Sequence, residues 1–253
     1  IAFYTMIRKD VVRMFRIWVQ TFLPSVVTSS LYFLIFGSLL GSQIGDMQGV
    51  PYMTFVVPGL VMLAIVTTSY SNTSFTFFSS KFFAKNIEEI LVSPTPPWLM
   101  IAGFVGGGLI RGLLVGALVL LVSLFFTGLA LSIHNLAIIL FFATLTCLVF
   151  SLAGLVNGIY AKSIDGINIV PTFVLTPLVY LGGIFYSIHS LPSWWQAITY
   201  SNPLFYLING FRYGFLGITD VSLALSIGIL VAMIVALIAI NWYLIRTGLG
   251  LKQ

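Results

Sequence analysis

Six long apolar stretches, almost free of charge, constrain this chain more than any other feature: Phe22–Leu40, Phe55–Phe78, Trp98–Phe126, Leu136–Tyr160, Ile167–Phe185 and Leu223–Ile245. A helix rises about 1.5 Å per residue, so about 20 apolar residues cross the ~30 Å hydrocarbon core of a bilayer. Charged residues make up 7% of the sequence and apolar ones 59%; an ordinary soluble domain carries roughly 25% charged residues. Most of a soluble protein's exterior faces water, which leaves nowhere to hide so much apolar surface. The runs are too long, and lack the alternation, for strands of an outer-membrane barrel. The sequence therefore predicts an all-α integral membrane protein with six transmembrane helices. With no internal repeat or low-complexity linker, residues 1–253 read as one domain, and 22–245 as its six-span bundle.

The few charges set an orientation. With the N-terminus in the cytoplasm, Arg8, Lys9, Arg13, Arg16, Lys81, Lys85, Lys162, Arg246 and Lys252 all lie inside, and Arg212 alone lies outside. Inverting the chain reverses that ratio, so the positive-inside rule places both termini in the cytoplasm. The net charge of +5 does not point to nucleic acid, because no basic stripe with interleaved aromatics lies on a polar scaffold. No secretory signal is expected, since the first apolar run is long and lacks a small-residue cleavage site. Cys147 is the sole cysteine, which excludes an intramolecular disulfide.

Three segments are not plain spans. Residues 3–20 read as an amphipathic helix in the membrane interface, with Phe3, Ile7, Val11, Met14 and Trp18 on one face and Lys9, Arg13, Arg16 and Gln20 roughly opposite. Its polar face serves either as a plain lipid-surface anchor or as a dock for a cytoplasmic partner. Residues 79–97 hold Lys81, Lys85, Glu88 and Glu89 around Phe82, Ile87, Ile90 and Leu91, before prolines that stop any helix. That pattern fits a short amphipathic helix between two spans, or an ordinary solvated turn. Residues 186–222 are too aromatic for a simple loop, and their apolar runs are too short to cross. They predict an external re-entrant helical hairpin between spans five and six, broken at Pro192 and at Asn202-Pro203. It would carry Trp194, Trp195 and Arg212, and act as a lid over a pathway or as a cap on helix ends.

Within the spans, Arg111 stands out. A charge at membrane depth usually faces a bundle interior or a watery cavity. With no Asp or Glu well inside any span, its expected partners are carbonyls, hydroxyls, a lipid phosphate or an anionic substrate. Gly108, Gly112 and Gly116 recur beside it at intervals of four, a small-residue face suited to close helix packing. Span five carries Pro171, Thr172, Thr176 and Pro177. Proline in a span frees a carbonyl and bends the helix, so this stretch suits a pathway lining, a hinge or a plain bend.

Enzymatic constellations are missing from the sequence. His134 and His189 fall in expected external loops, and no metal cluster or paired intramembrane carboxylates can be assembled. Gly154–Ser163 lacks the Gly-Lys-Ser/Thr ending of a phosphate-binding loop. The chain is not expected to be an enzyme or to hold a cofactor of its own, and no relay of membrane carboxylates marks proton coupling.

A series of short motifs, in order along nearly the whole chain, resembles the ABC-2 type transport permeases, and among them YadH-like permeases of the bacterial inner membrane. These are Arg16–Thr21, Phe55–Leu60, Asn86–Pro94, Val105–Gly108 with Arg111-Gly112, Ser151–Leu155, Val170–Leu178, Asn202-Pro203 and Gly210–Gly217. The resemblance implies a half-transporter in the inner membrane. Two permease chains pair, and two separate cytoplasmic ATPase subunits, holding the ATP and Mg, drive them. It implies an ATPase contact made by the N-terminal helix, with Arg8, Arg13 and Arg16, and by a coupling helix flanked or formed by Lys81, Lys85, Glu88 and Glu89. Spans one and five would line the route at the dimer interface. The few charges and many Phe, Leu and Gly residues of the spans favour an amphipathic or lipid-like cargo. The competing reading is a stand-alone channel or facilitator, against which the lack of a filter-like ring or charged pore stripe counts. A membrane enzyme acting on lipids is disfavoured by the shortage of nucleophile–base pairs.

Overall fold

The computed structural model describes residues 2–83, 87, 95–128 and 133–250. Their order is α1 (Ala2–Arg16), α2 (Trp18–Tyr32, continued as a π-helical stretch over Phe33–Leu39), α3 (Gly41–Ile44), a two-stranded hairpin β1 (Asp46–Met47) and β2 (Val50–Pro51), α4 (Tyr52–Phe82), α5 (Pro97–Phe126), α6 (Leu136–Tyr160), α7 (Ile164–Tyr180), α8 (Ser193–Ser201), α9 (Pro203–Leu216) and α10 (Leu223–Thr247).

Five of the described helices are long and apolar enough to cross a membrane, namely Trp18–Gly37, α4, α5, α6 and α10. The fifth expected span appears as α7, with 17 residues between Ile164 and Tyr180. At 1.5 Å per residue α7 is about 26 Å long, just short of the hydrocarbon thickness. α7 ends at Tyr180, and Gly183 beyond it has a positive φ of 82°.

α4 is the axis of the bundle, and most of its side chains are buried. Close approach of the neighbouring helices depends on glycine. A Cβ at Gly112 would collide with Ser69 Oγ and lie 2.8 Å from Cys147 Sγ, and one at Gly116 would lie 2.6 Å from Ile65. The glycine ladder of α5 is therefore a packing face against α4 and α6. Gly158 of α6 approaches Ser74 in the same way. The outward faces carry the opposite signature: Phe125 is 91% exposed, and Leu121, Val235 and Phe173 are exposed with it. Apolar side chains exposed in such number suit an apolar neighbour, lipid or protein, rather than water.

Local chemistry explains where the elements start and stop. Asn135, Ser163, Asn202 and Ser222 each accept a backbone N–H at the first turn of α6, α7, α9 and α10, the expected role of an N-cap. Gly217 and Gly248 end α9 and α10 in the left-handed region. α1 stops at Ile17, whose φ of −111° and ψ of 38° are not helical. The amphipathic segment is therefore shorter than the expected 3–20, and Trp18 and Gln20 open the next helix. Ile7, Val11 and Met14 do turn toward the bundle, while Phe3 stays exposed. The hairpin at residues 46–51 had no counterpart in the hydropathy pattern. Its tip residue Gln48, at φ 54°, donates to Ser187 Oγ at 2.7 Å and to Asp220 Oδ1 at 2.9 Å.

The bundle has two chemically distinct ends. Lys81 at the end of α4 donates to the carbonyls of Ile159 at 3.2 Å and Gly250 at 2.5 Å, gathering the C-terminal ends of α4, α6 and α10. α1 packs at that same end, with Met6 against Gly103 and Ile7 against Gly106 of α5. Arg8, Lys9, Arg13, Arg16, Lys81, Lys162 and Arg246 all belong to it. The opposite end holds β1, β2, α8 and α9, with Arg212 as its one cationic Lys or Arg among the described residues.

Candidate functional site

Halfway along α5, Arg111 turns toward α4. Its Nη1 donates to Oδ1 of Asn72 at 2.8 Å, and its Nε is buried with no hydrogen-bond partner. The partner is thus a side-chain amide within span two, a choice absent from the sequence-based expectation. On the other side of Arg111 lies α1, where Asp10 faces Gly107 and shares a small cavity with Arg111. Asp10 pairs with Arg13 at 3.6 Å, and Arg13 reaches Thr76 Oγ1 at 2.5 Å. Burial holds the Asp10 carboxyl above its usual range, against the opposing pull of Arg13, Lys9 and Arg111. As a lone acid in a basic helix, Asp10 gave no sequence signal of its own.

Arg111 also forms part of the wall of a cleft of about 490 Å³ between α2, α4, α5 and α7, within the size range of small-molecule sites. α2 contributes Gln20, Thr21 and Ser25, and α4 contributes Thr67, Thr68, Ser71 and Asn72. From α7 come Ile164, Ile167 and Asn168. Polar side chains on four helices therefore converge inside an otherwise apolar bundle. The signal for this was present as the run Thr67-Thr68-Ser69-Tyr70-Ser71-Asn72-Thr73-Ser74 in span two, which hydropathy averaging conceals.

Of the expected pathway or hinge residues, Arg111 is at the cleft, while Pro171, Thr172, Thr176 and Pro177 lie farther along α7. There the helix widens into a π-turn over Pro171–Leu175, with Thr176 Oγ1 donating to the Pro171 carbonyl at 2.9 Å. Pro171 has no N–H for the carbonyl of Ile167, and Asn157 Nδ2 of α6 donates to that oxygen instead at 2.9 Å. The freed carbonyl is satisfied by an amide from a neighbouring helix. Thr172 and Pro177 are exposed.

At the basic end, Arg8 and Arg16 are exposed on α1, Arg13 is turned partly inward, and Lys81 is 9% exposed with its amine on backbone carbonyls. Lys85, Glu88 and Glu89 lie outside the described residues. Ile87 between them is buried, in one apolar cluster with Phe77, Met100 and Phe104. At the far end, Pro192 precedes α8, whose Trp194 and Trp195 rings lie 4.4 Å apart. Asn202, followed by Pro203 at the first turn of α9, ties that helix to α7 by donating to the Leu178 carbonyl at 2.6 Å. Arg212 is 2% exposed. It donates to the Gly183 carbonyl at 2.5 Å and lies 3.9 Å from the centre of the Phe55 ring.

The profile of the ABC-2 type transporter family matches residues 1–216. The chain belongs to that family. The ABC-2 chain is 53% identical over 245 residues to the inner membrane transport permease YadH of Escherichia coli K12, covering 97% of this chain and 94% of that protein. It is 25% identical over 218 residues to nodulation protein J of Rhizobium leguminosarum bv. viciae, covering 85% and 83% of the two chains. Nodulation protein J of Neorhizobium galegae is 26% identical over 225 residues, covering 88% and 85%.

Proposed function

We propose that this ABC-2 chain is the membrane-spanning permease half of an ATP-driven exporter of amphipathic or lipid-like molecules in the bacterial inner membrane. Two copies pair, and two separate ATPase subunits bind the basic end of each pair from the cytoplasm, bringing the ATP and Mg. In this reading α7 completes six spans, both termini are cytoplasmic, and α8 with α9 forms a re-entrant cap on the outer side.

One observation carries the reading: the basic end is mechanically joined to the polar cleft. α1 is clamped to α4 by Arg13 and Thr76 and to α5 at Gly103, Gly106 and Gly107. The same two helices hold Asn72 and Arg111 in the cleft wall. Ile87 belongs to one buried apolar cluster with Phe77 of α4 and Met100 and Phe104 of α5. A subunit pushing on α1 or at Ile87 therefore moves the helices that shape the cleft. Such an arrangement suits a permease that receives work from outside its own chain, and a stand-alone facilitator has no use for it.

The test is co-purification. The full chain, extracted in mild detergent from its own cells, is expected to bring down a soluble subunit with a phosphate-binding loop. Reversing both charges in Glu88→Lys/Glu89→Lys is expected to weaken that association. Substrate export that continues in cells lacking the ATPase contradicts the proposal.

A further inference from the structure

The cleft at Arg111 has a charge imbalance and a second compartment, which together define a ligand class. Arg111 is the one ionisable side chain among the described residues lining the cleft. The nearest carboxylate, Asp10, is already shared with Arg13 at 3.6 Å, so two guanidiniums face one carboxylate and a positive charge is left over. Asn72 satisfies one arm of Arg111 with a neutral oxygen, and the buried Nε has no partner. A guanidinium held inside a membrane bundle needs partners for its N–H groups, and where one of these is left over its planar fork matches phosphate or carboxylate.

A smaller pocket of about 170 Å³ adjoins the cleft, sharing Pro24, Ser25 and Thr67 with it. Its walls are Leu60, Leu63 and Ala64 with the hydroxyl-bearing Thr28, Ser29 and Tyr32. Both compartments follow α2, and the smaller, more apolar one lies farther from the basic end. A ligand filling both has a charged head at Arg111 and an apolar part along α2.

We propose that the cleft binds an amphiphile with a phosphate or carboxylate headgroup, the head on Arg111 and the first part of the tail in the pocket at Leu60 and Leu63. This names the cargo class of the site in the permease reading and rests on that reading for its role in transport. Hydroxyls and amides from Thr21, Ser25, Ser71 and Asn168 surround the head position, so the headgroup is held by hydrogen bonds as well as charge. A neutral amphiphile leaves the guanidinium unpaired, and a cationic one is repelled.

Native mass spectrometry of the full chain tests this directly. The protein is held in neutral detergent and given equal amounts of phosphatidylglycerol and diacylglycerol, which has the same tails and no phosphate. Charge-assisted hydrogen bonds to one arginine predict a preference for phosphatidylglycerol of about tenfold. Arg111→Gln is expected to bring that preference close to one, Arg111→Lys to keep part of it, and Arg246→Gln on the exposed surface to leave it unchanged. On the unaltered protein, dodecyl phosphate is expected to displace phosphatidylglycerol, whereas dodecyl maltoside and inorganic phosphate are not. No preference in the unaltered protein, or a full preference retained by a folded Arg111→Gln variant, overturns the proposal. Displacement by inorganic phosphate as strong as by dodecyl phosphate overturns the amphiphile and leaves a plain anion site. Because this binding needs no ATPase, a chain that selects anionic amphiphiles but never co-purifies with an ATPase loses the permease reading alone. A chain that binds its ATPase without such selectivity loses this inference alone.

Discussion

Asn157 of α6 donates its side-chain N–H to the backbone carbonyl of Ile167 in α7, the acceptor that Pro171 leaves unpaired. The bond replaces a missing rung within one helix with a link between two, and so fixes where the π-turn of α7 sits against the bundle. Asn157→Ala is expected to destabilise the protein by about 1–3 kcal/mol, the cost of an unsatisfied buried carbonyl. Pro171→Ala restores the N–H, so in that background Asn157→Ala is expected to cost clearly less. Thermal unfolding of the four proteins of this cycle measures the coupling, and strict additivity contradicts the assignment.

Gly112 and Gly228 give a paired prediction. Gly112→Ala drives a Cβ into Ser69 and Cys147 and is expected to cost about 1–3 kcal/mol through overpacking. Gly228 has nothing within 4 Å of the same position. There, Ala is expected to be neutral or stabilising by up to about 1 kcal/mol, from helix propensity. Unfolding midpoints in one detergent decide both.

Lys81 closes the end of α10 through the Gly250 carbonyl and the end of α6 through that of Ile159. Lys81→Met keeps the apolar stem and removes the donors. Hydrogen exchange is expected to rise over residues 244–250 in that variant and to stay unchanged in α9. Equal protection in both proteins contradicts the capping role.

The docking of α1 is expected to depend on pH through Asp10. Its carboxyl is raised above the unfolded value of 3.8 by burial, so the native state binds the proton more readily than the unfolded one. Stability of the α1 contact therefore rises as pH falls from the raised value toward 3.8, and is lost again as pH climbs through that raised value. Proteolysis near Ile17, followed across this window, is expected to slow at the lower pH. Asp10→Asn is expected to abolish the dependence.

The spans were legible because a bilayer demands long uncharged runs, and five of the six appear as helices with matching centres. The starts of α8 after Pro192 and of α9 after Asn202 were legible for a similar reason, since proline and an Asn cap act locally. What escaped were features set by which helix faces meet. The break at Ile17 is a backbone turn at an ordinary residue. The pairing of Arg111 with Asn72 joins positions 39 apart in sequence. The cleft exists because hydroxyls on α2 and α4 face the same gap, and a single sequence records each helix separately.

The basic end, with α1, Lys81 and the end of α10, is proposed as the cytoplasmic face where a driving subunit docks. Cys147 is buried, so a Cys147→Ala background admits single cysteines at Arg8, Arg246 and His189 for labelling with a membrane-impermeant maleimide. In intact inner-membrane spheroplasts, Arg8→Cys and Arg246→Cys are expected to stay unlabelled until the membrane is opened, while His189→Cys reacts at once. Labelling of Arg8→Cys and Arg246→Cys from opposite sides of the bilayer contradicts the account.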